Sequence, residues 1–176
     1  MAFLYGRAGR LTTKNGGFRP GQAASIGQCV AALLPNEAIV VDEAITASGG
    51  FGAHAATAAP HDALGVTGGS IGVGLPLALG AAVACPARRV LALQADGSAM
   101  YTLQALWSMA RERLPVVVVL YANRAYGIFG TELARLGLAH RAGATRVGPG
   151  PLRAAAGPGV RRAAHGPGPP GAIKRY

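Results

Sequence analysis

The chain has 176 residues, 51% of them hydrophobic and 14% charged, which is enough for one domain with a real core and excludes a disordered, charge-rich chain. Its net charge of +10 points to nucleic acid until the charges are located. Residues 1–24 hold four Lys+Arg and no acid, residues 138–176 hold seven and no acid, and residues 25–137 hold six against all seven Asp+Glu, so the basicity belongs to the ends and no nucleic-acid partner is expected of the middle.

In chain order, residues 1–24 are polar and glycine-rich, with neither a strand nor a helix period, and read as irregular. Met1 to Pro20 contains basic residues without a continuous apolar run, so no signal peptide is read there. Ser25 to Leu34 reads as a short apolar helix stopped by Pro35. Ile39-Val40-Val41 reads as a buried strand ending at Asp42-Glu43, followed by an Ala/Gly/Thr-rich loop to about Thr67. Gly68 to Gly74 then leads into a helix that runs to about Ala84 and is closed by Pro86. The uncharged run from Ala63 to Ala87 is long enough to span a membrane, but its six glycines and two prolines argue for a buried loop and helix, and no membrane partner is expected. Val90–Ala95 and Val116–Tyr121 read as strands flanking an amphipathic helix whose Leu103, Leu106, Trp107 and Ala110 recur at core spacing. Alternating strands and helices predict an α/β, three-layer sandwich around a parallel sheet over residues 25–137. Cys29 and Cys85 are isolated thiols without metal-ligand spacing, compatible with a reducing cytoplasm.

The most informative residues stand at the strand ends. One strand delivers Asp96-Gly97-Ser98 and the next delivers Asn123, 27 positions later, to the same sheet edge. Two oxygen-bearing side chains converging there suit a hard cation such as Mg2+ that also holds a diphosphate. Gly97 lets the backbone approach an anion, and Ser98 stands where a helix N-terminus adds N–H donors. This array resembles the cofactor motif of thiamine diphosphate enzymes, GDG followed after 25 to 30 residues by an asparagine pair. It is most similar to acetolactate synthase large subunits and to benzoylformate decarboxylase. Ala95 and Ala122 depart from the pattern, which otherwise extends over about Gln22 to Gly137.

The resemblance implies thiamine diphosphate and Mg2+ as cofactors, with Asp96, Asn123 and the carbonyl of Ala125 as metal ligands. It implies that the Gly69 carbonyl accepts from the aminopyrimidine and that Ile71 wedges beneath the bend of the cofactor, holding the amine beside the thiazolium C2–H. Thr46, in a segment where Ile45 replaces a polar residue, and Tyr101 fall near the diphosphate. Gly97, Ser98 and Asn123 hold it from the strand ends, and Tyr126, Gly127 and Ile128 close over it. The implied activity is 2-keto acid decarboxylation or carboligation of the acetolactate synthase type, a lyase or transferase reaction that feeds branched-chain amino acid synthesis. The implied assembly is a homo-oligomer in which a second domain of a neighbouring subunit supplies an activating glutamate. Glu43 and Glu132 do not match that role, and no catalytic residue is assigned. His54, His61, His140 and His165 match no catalytic position, and no Ser-His-Asp, CxxC, HExxH, P-loop or dinucleotide pattern is present.

Residues 138–176 are dominated by Gly, Pro, Ala and Arg and are expected to be a disordered basic tail. Such runs are typical of a frame change in a GC-rich gene, so the chain reads as a truncated or frameshifted copy with an incomplete C-terminal end, inactive by itself. The alternatives are a non-catalytic cofactor-binding remnant and a basic-tailed nucleic-acid-binding protein.

Overall fold

The computed structural model describes residues 2–5, 23–123, 126–138 and 160–162. Three apolar runs form the centre of the sheet: β2 (Ala38–Glu43), β4 (Val90–Ala95) and β5 (Val116–Tyr121). They lie side by side and parallel, with Ile39 opposite Val90 and Val90 opposite Val116. Parallel strands covered on both faces need apolar residues at nearly every position, which is why these runs were legible as strands. A fourth parallel strand, β3 (His61–Gly65), pairs with the outer side of β2. Among the described residues the sheet order is β3-β2-β4-β5-β1-β6, where β1 is Ala2–Tyr5 and β6 is Val160–Arg162, both added antiparallel beyond β5.

Side chains alternate across the sheet and divide the core into two layers. On one face Ile39, Val41, Ala92 and Val118 pack with α3 (Gly74–Ala84) and α5 (Gln104–Arg111). On the other, Val40, Leu93 and Val119 pack with α1 (Ala23–Leu33) and Phe51 of the short α2 (Gly49–Gly52). The expected three-layer α/β architecture is therefore what the chain adopts. No helix among the described residues is long and apolar enough to cross a membrane.

Four local readings need correction. The stretch read as a loop to Thr67 contains β3, an edge strand that periodicity missed because most of it faces outward and its Asp62 pairs with Arg88 at 2.7 Å. The single helix expected after Ser98 is broken into α4 (Asp96–Ala99) and α5. Within α5 the buried stripe is Ala105, Leu106 and Met109, while Trp107 is 56% exposed and carries the Arg111 guanidinium 4.6 Å above its ring. Finally, residues 2–5, inside the segment read as irregular, form β1, and residues 160–162, inside the segment read as a disordered basic tail, form β6. Residues 23 and 24 belong to α1 and residue 138 follows α6 (Gly127–Arg135); the remainder of those segments, with His140 and His165, lies outside the described residues.

The connections put a topological switch point between β2 and β4. From β2 the chain turns outward to β3, and through α3 it returns to β4 on the other side of β2. Crevices at the carboxyl ends of strands at such a reversal are where open α/β sheets bind ligands.

Candidate functional site

A cavity of about 330 Å³ opens at that crevice. Its floor is made by the strand ends. Asp96 follows β4 and is 3% exposed, with Oδ1 accepting from the Gly97 N–H at 3.0 Å. Asn123, two residues after β5, lines the same cavity, as do Gly97 and Ser98. The Ser98 hydroxyl is turned into the protein: it accepts from Gln94 Nε2 at 2.5 Å and donates to the Ala95 carbonyl at 3.2 Å.

The turn after β2 forms one side. The Asp42 carboxylate accepts from the Ala44 N–H at 2.9 Å and from the Ser48 hydroxyl at 2.8 Å, folding the chain into a 3-10 turn over Ile45–Ala47. That turn holds Ile45 at φ 54°, a left-handed conformation that opposes a β-branched side chain, and brings Thr46 to the cavity. A second side is α6 (Gly127–Arg135), entered through Tyr126. A Cβ on Gly127 would lie 3.3 Å from Asn123 Nδ2 and 3.6 Å from Thr46 Oγ1, so its backbone stands close to both polar side chains. Gly97 is crossed by the Tyr126 ring, which leaves 2.7 Å for any Cβ there. Burial first, then the neighbouring Tyr101 phenol and the Asp96 carboxylate, push the Tyr126 hydroxyl above its ordinary range and keep it a donor.

The glycine loop closes the remaining side. Gly68, Gly69 and Gly72 have φ of 63°, 71° and 89°, conformations open to glycine at little cost, and Gly69 and Ile71 face the cavity. Of the residues singled out in the sequence, Thr46, Gly69, Ile71, Asp96, Gly97 and Ser98 thus surround one cavity together with Asn123, Tyr126, Gly127 and Ile128. Tyr101 is not among the lining residues; it is 58% exposed, beside Tyr126. Ala125 lies outside the described residues.

Two functional features were missed in the sequence. Tyr121, the last residue of β5, lines the cavity and has a buried hydroxyl without a hydrogen-bond partner among the described residues. Burial and the Asp42 charge raise its pKa, so it remains a neutral donor. Its position at the end of the run from Val116 was the available signal. The other feature is Glu43, 1% exposed behind the glycine loop. Among the described residues no group of three or more His, Cys, Asp or Glu gathers as a metal cluster. The Asp96 carboxylate, the Asn123 amide and the Tyr121 hydroxyl line this cavity together with the start of α6, and groups of this chemistry are compatible with a magnesium-bound diphosphate.

Comparison with known proteins places the chain in a family and agrees with its fold. Residues 50–167 match the family described as thiamine pyrophosphate enzyme, C-terminal TPP binding domain. A Mycobacterium tuberculosis H37Rv protein with the provisional name acetolactate synthase large subunit IlvX is 53% identical over 115 residues, 65% of this chain and 22% of that protein. Benzoylformate decarboxylase of Pseudomonas aeruginosa is 35% identical over 117 residues, 66% of this chain and 22% of that enzyme. The chain thus spans about 22% of the length of these curated relatives. Among solved structures, the thiamine diphosphate-dependent 4-hydroxybenzoylformate decarboxylase of Rhodococcus jostii RHA1 superposes with a TM-score of 0.67 at 28% identity, over 85% of this chain and 28% of that one. Benzoylformate decarboxylase from Polynucleobacter necessarius, at 20% identity and a TM-score of 0.70, shares the fold over 84% of this chain and 28% of its own. The chain belongs to the thiamine pyrophosphate enzyme family, through its C-terminal cofactor-binding domain.

Proposed function

We propose that residues 25–137 bind thiamine diphosphate together with Mg2+, as part of a cytoplasmic, homo-oligomeric 2-keto acid decarboxylase or carboligase of the acetolactate synthase type. The observation that carries this reading is the convergence of Asp96, Asn123, Thr46 and the Gly69–Ile71 loop on one cavity at the carboxyl ends of β2, β4 and β5.

When bound, thiamine diphosphate supplies a carbon nucleophile that adds to a 2-keto acid and accepts the electron pair released with CO2. This chain's residues have positional tasks. Asp96 and Asn123, with the Ala125 carbonyl, would hold Mg2+, and Asp96 brings the formal negative charge that offsets the cation. Thr46 and the α6 start would donate to the diphosphate. Ile71, 43% exposed at the cavity, would support the bend of the cofactor, and the Gly69 carbonyl would accept from its amine.

Acid–base help is what these residues lack. Glu43 is committed to backbone amides and Gln94, and Glu132 lies on α6 with Oε2 3.6 Å from the Arg135 guanidinium. Neither stands ready to activate the aminopyrimidine, so the chain alone is proposed to bind cofactor without turnover. Calorimetry with thiamine diphosphate and Mg2+, followed by a 2-keto acid decarboxylation assay, tests both halves. Binding that needs Mg2+ with negligible CO2 release is expected. Absence of Mg2+-dependent binding would overturn the cofactor assignment, and robust acetolactate formation would overturn the second half.

A further inference from the structure

Glu43 and Asp96 end neighbouring strands, yet only Asp96 lines the cavity. Glu43 faces the other way, and a carboxylate this deeply buried is tolerated only with donors around it. It has three: the Gly72 N–H, the Gly74 N–H at 2.7 Å and Gln94 Nε2 at 2.9 Å. Gly74 opens α3, so a negative charge also suits that helix end. The Gly72 peptide is held from both sides, since its carbonyl accepts from the Thr102 hydroxyl at 2.9 Å. Space around the anchor is closed: a Cβ on Gly74 would come within 2.5 Å of Gln94 Oε1 and 2.6 Å of Glu43 Oε2.

The same Gln94 amide that reaches Glu43 also donates to Ser98, two residues beyond Asp96. A continuous set of hydrogen bonds therefore runs from the Gly72 amide, next to Ile71, through Glu43 and Gln94 to the Asp96–Ser98 turn. We infer that Glu43 is a positioning residue that locks the Gly68–Gly74 loop to the Asp96 turn, fixing the spacing between the wedge and the metal end of the cofactor site. This rests on the proposed function for the identity of the ligand. Glu43 touches no part of the cavity and acts only through the loop.

The test compares two ligands on the full chain. Thiamine diphosphate with Mg2+ engages both ends of the site, whereas inorganic pyrophosphate with Mg2+ engages the metal end alone. Glu43→Gln replaces one accepting oxygen with an amide NH2 group, a donor that cannot accept from a backbone N–H. Expected is a loss of roughly 10- to 100-fold in thiamine diphosphate affinity, the range for partners one step removed from a ligand, with pyrophosphate affinity within about 3-fold. Adding Ile71→Ala to Glu43→Gln should cost less than the sum of the two single effects, as for residues acting through one element. Equal losses for both ligands, strict additivity, or unchanged thiamine diphosphate affinity would overturn the inference.

If Glu43→Gln does not fold, Gln94→Leu removes the bonds to both Glu43 and Ser98 while leaving Gly72 and Gly74 on Glu43, and the same preferential loss is expected; an unchanged ratio of the two affinities overturns the coupling. If the native chain binds neither ligand, the proposed function falls, and hydrogen exchange decides the coupling: Gln94→Leu should speed exchange at the amides of both Gly72 and Ser98. A change confined to Ser98 overturns it.

Discussion

The two flanks of the cavity are built to different standards. The glycine loop is anchored by a buried carboxylate, a buried amide and the Thr102 hydroxyl, so its backbone groups at Gly72 and Gly74 are satisfied without any ligand. Across from it, α6 has no buried residue at all, and Phe129 and Leu136 are 56% and 70% exposed. A flank that shapes a ligand must hold its form beforehand, because ordering it on binding would subtract from affinity. A flank that merely closes over phosphates can draw its order from the ligand. The contrast is one of satisfied backbone against uncovered apolar surface.

The floor between the two flanks gives the largest expected effect. If the metal end organises both, Asp96→Ala should weaken Mg2+-dependent thiamine diphosphate binding by roughly 100-fold or more, since even outer-shell partners of metal ligands cost 10- to 100-fold. That is at least about 2.7 kcal/mol. The fold should survive, because Asp96 lies outside both buried apolar clusters. Calorimetry on the variant checks the first point and circular dichroism the second. Undiminished binding would remove Asp96 from the ligand set and leave the two flanks unconnected by a metal.

A matched pair of glycine substitutions separates the flanks themselves. Gly74→Ala drives a methyl group into Glu43 and Gln94 at 2.5–2.7 Å, where both neighbours are buried and leave no room to move aside. Overpacking of that kind costs about 1–3 kcal/mol and should lower the thermal midpoint measurably. Gly127→Ala meets Thr46 at 3.6 Å, an ordinary contact, and the Asn123 amide at 3.3 Å, where a side-chain end has to give by only a few tenths of an ångström, and should change stability by less than about 0.5 kcal/mol. Equal losses in the two variants, read by thermal melts without ligand, would erase the distinction between a locked and a loose flank.

Sequence reading reached the locked parts unevenly, for physical reasons. The strands of the sheet centre were visible because burial on both faces leaves a continuous apolar run, as in Val116–Tyr121. Asp96, Gly97 and Asn123 were visible because their spacing is set by one helix and one strand. Glu43 was not, because a charged residue at a strand end looks the same whether it faces solvent or two amides 29 and 31 positions away. Tyr121 read as the tail of an apolar run, and only the path of β5 past the cavity turns its hydroxyl into a site atom. Leu103 and Leu106 do pack in the core as read, but the stripe is completed by Ala105 and Met109 and not by Trp107, an apolar residue that hydropathy alone places inside. Strands β1 and β6 depend on pairing between segments more than 100 positions apart, which no local period encodes.

The smallest effect is expected in α6, where it also discriminates best. Phe129 contacts Tyr126, with ring centroids 5.6 Å apart, and otherwise presents its surface to solvent. Phe129→Ser should therefore shift the ligand-free stability by no more than about 0.5 kcal/mol, the range for surface positions. Addition of thiamine diphosphate and Mg2+ should slow amide exchange over residues 127–135 much more than over residues 74–84, because the second helix is already fixed by the Glu43 anchor and the core. A ligand that binds only the native form raises global stability too, so the comparison must be made between the two helices in the same sample. Equal slowing in both would mean that α6 is as ordered beforehand as α3. The exposed Phe129 and Leu136 would then have no bearing on how the site closes.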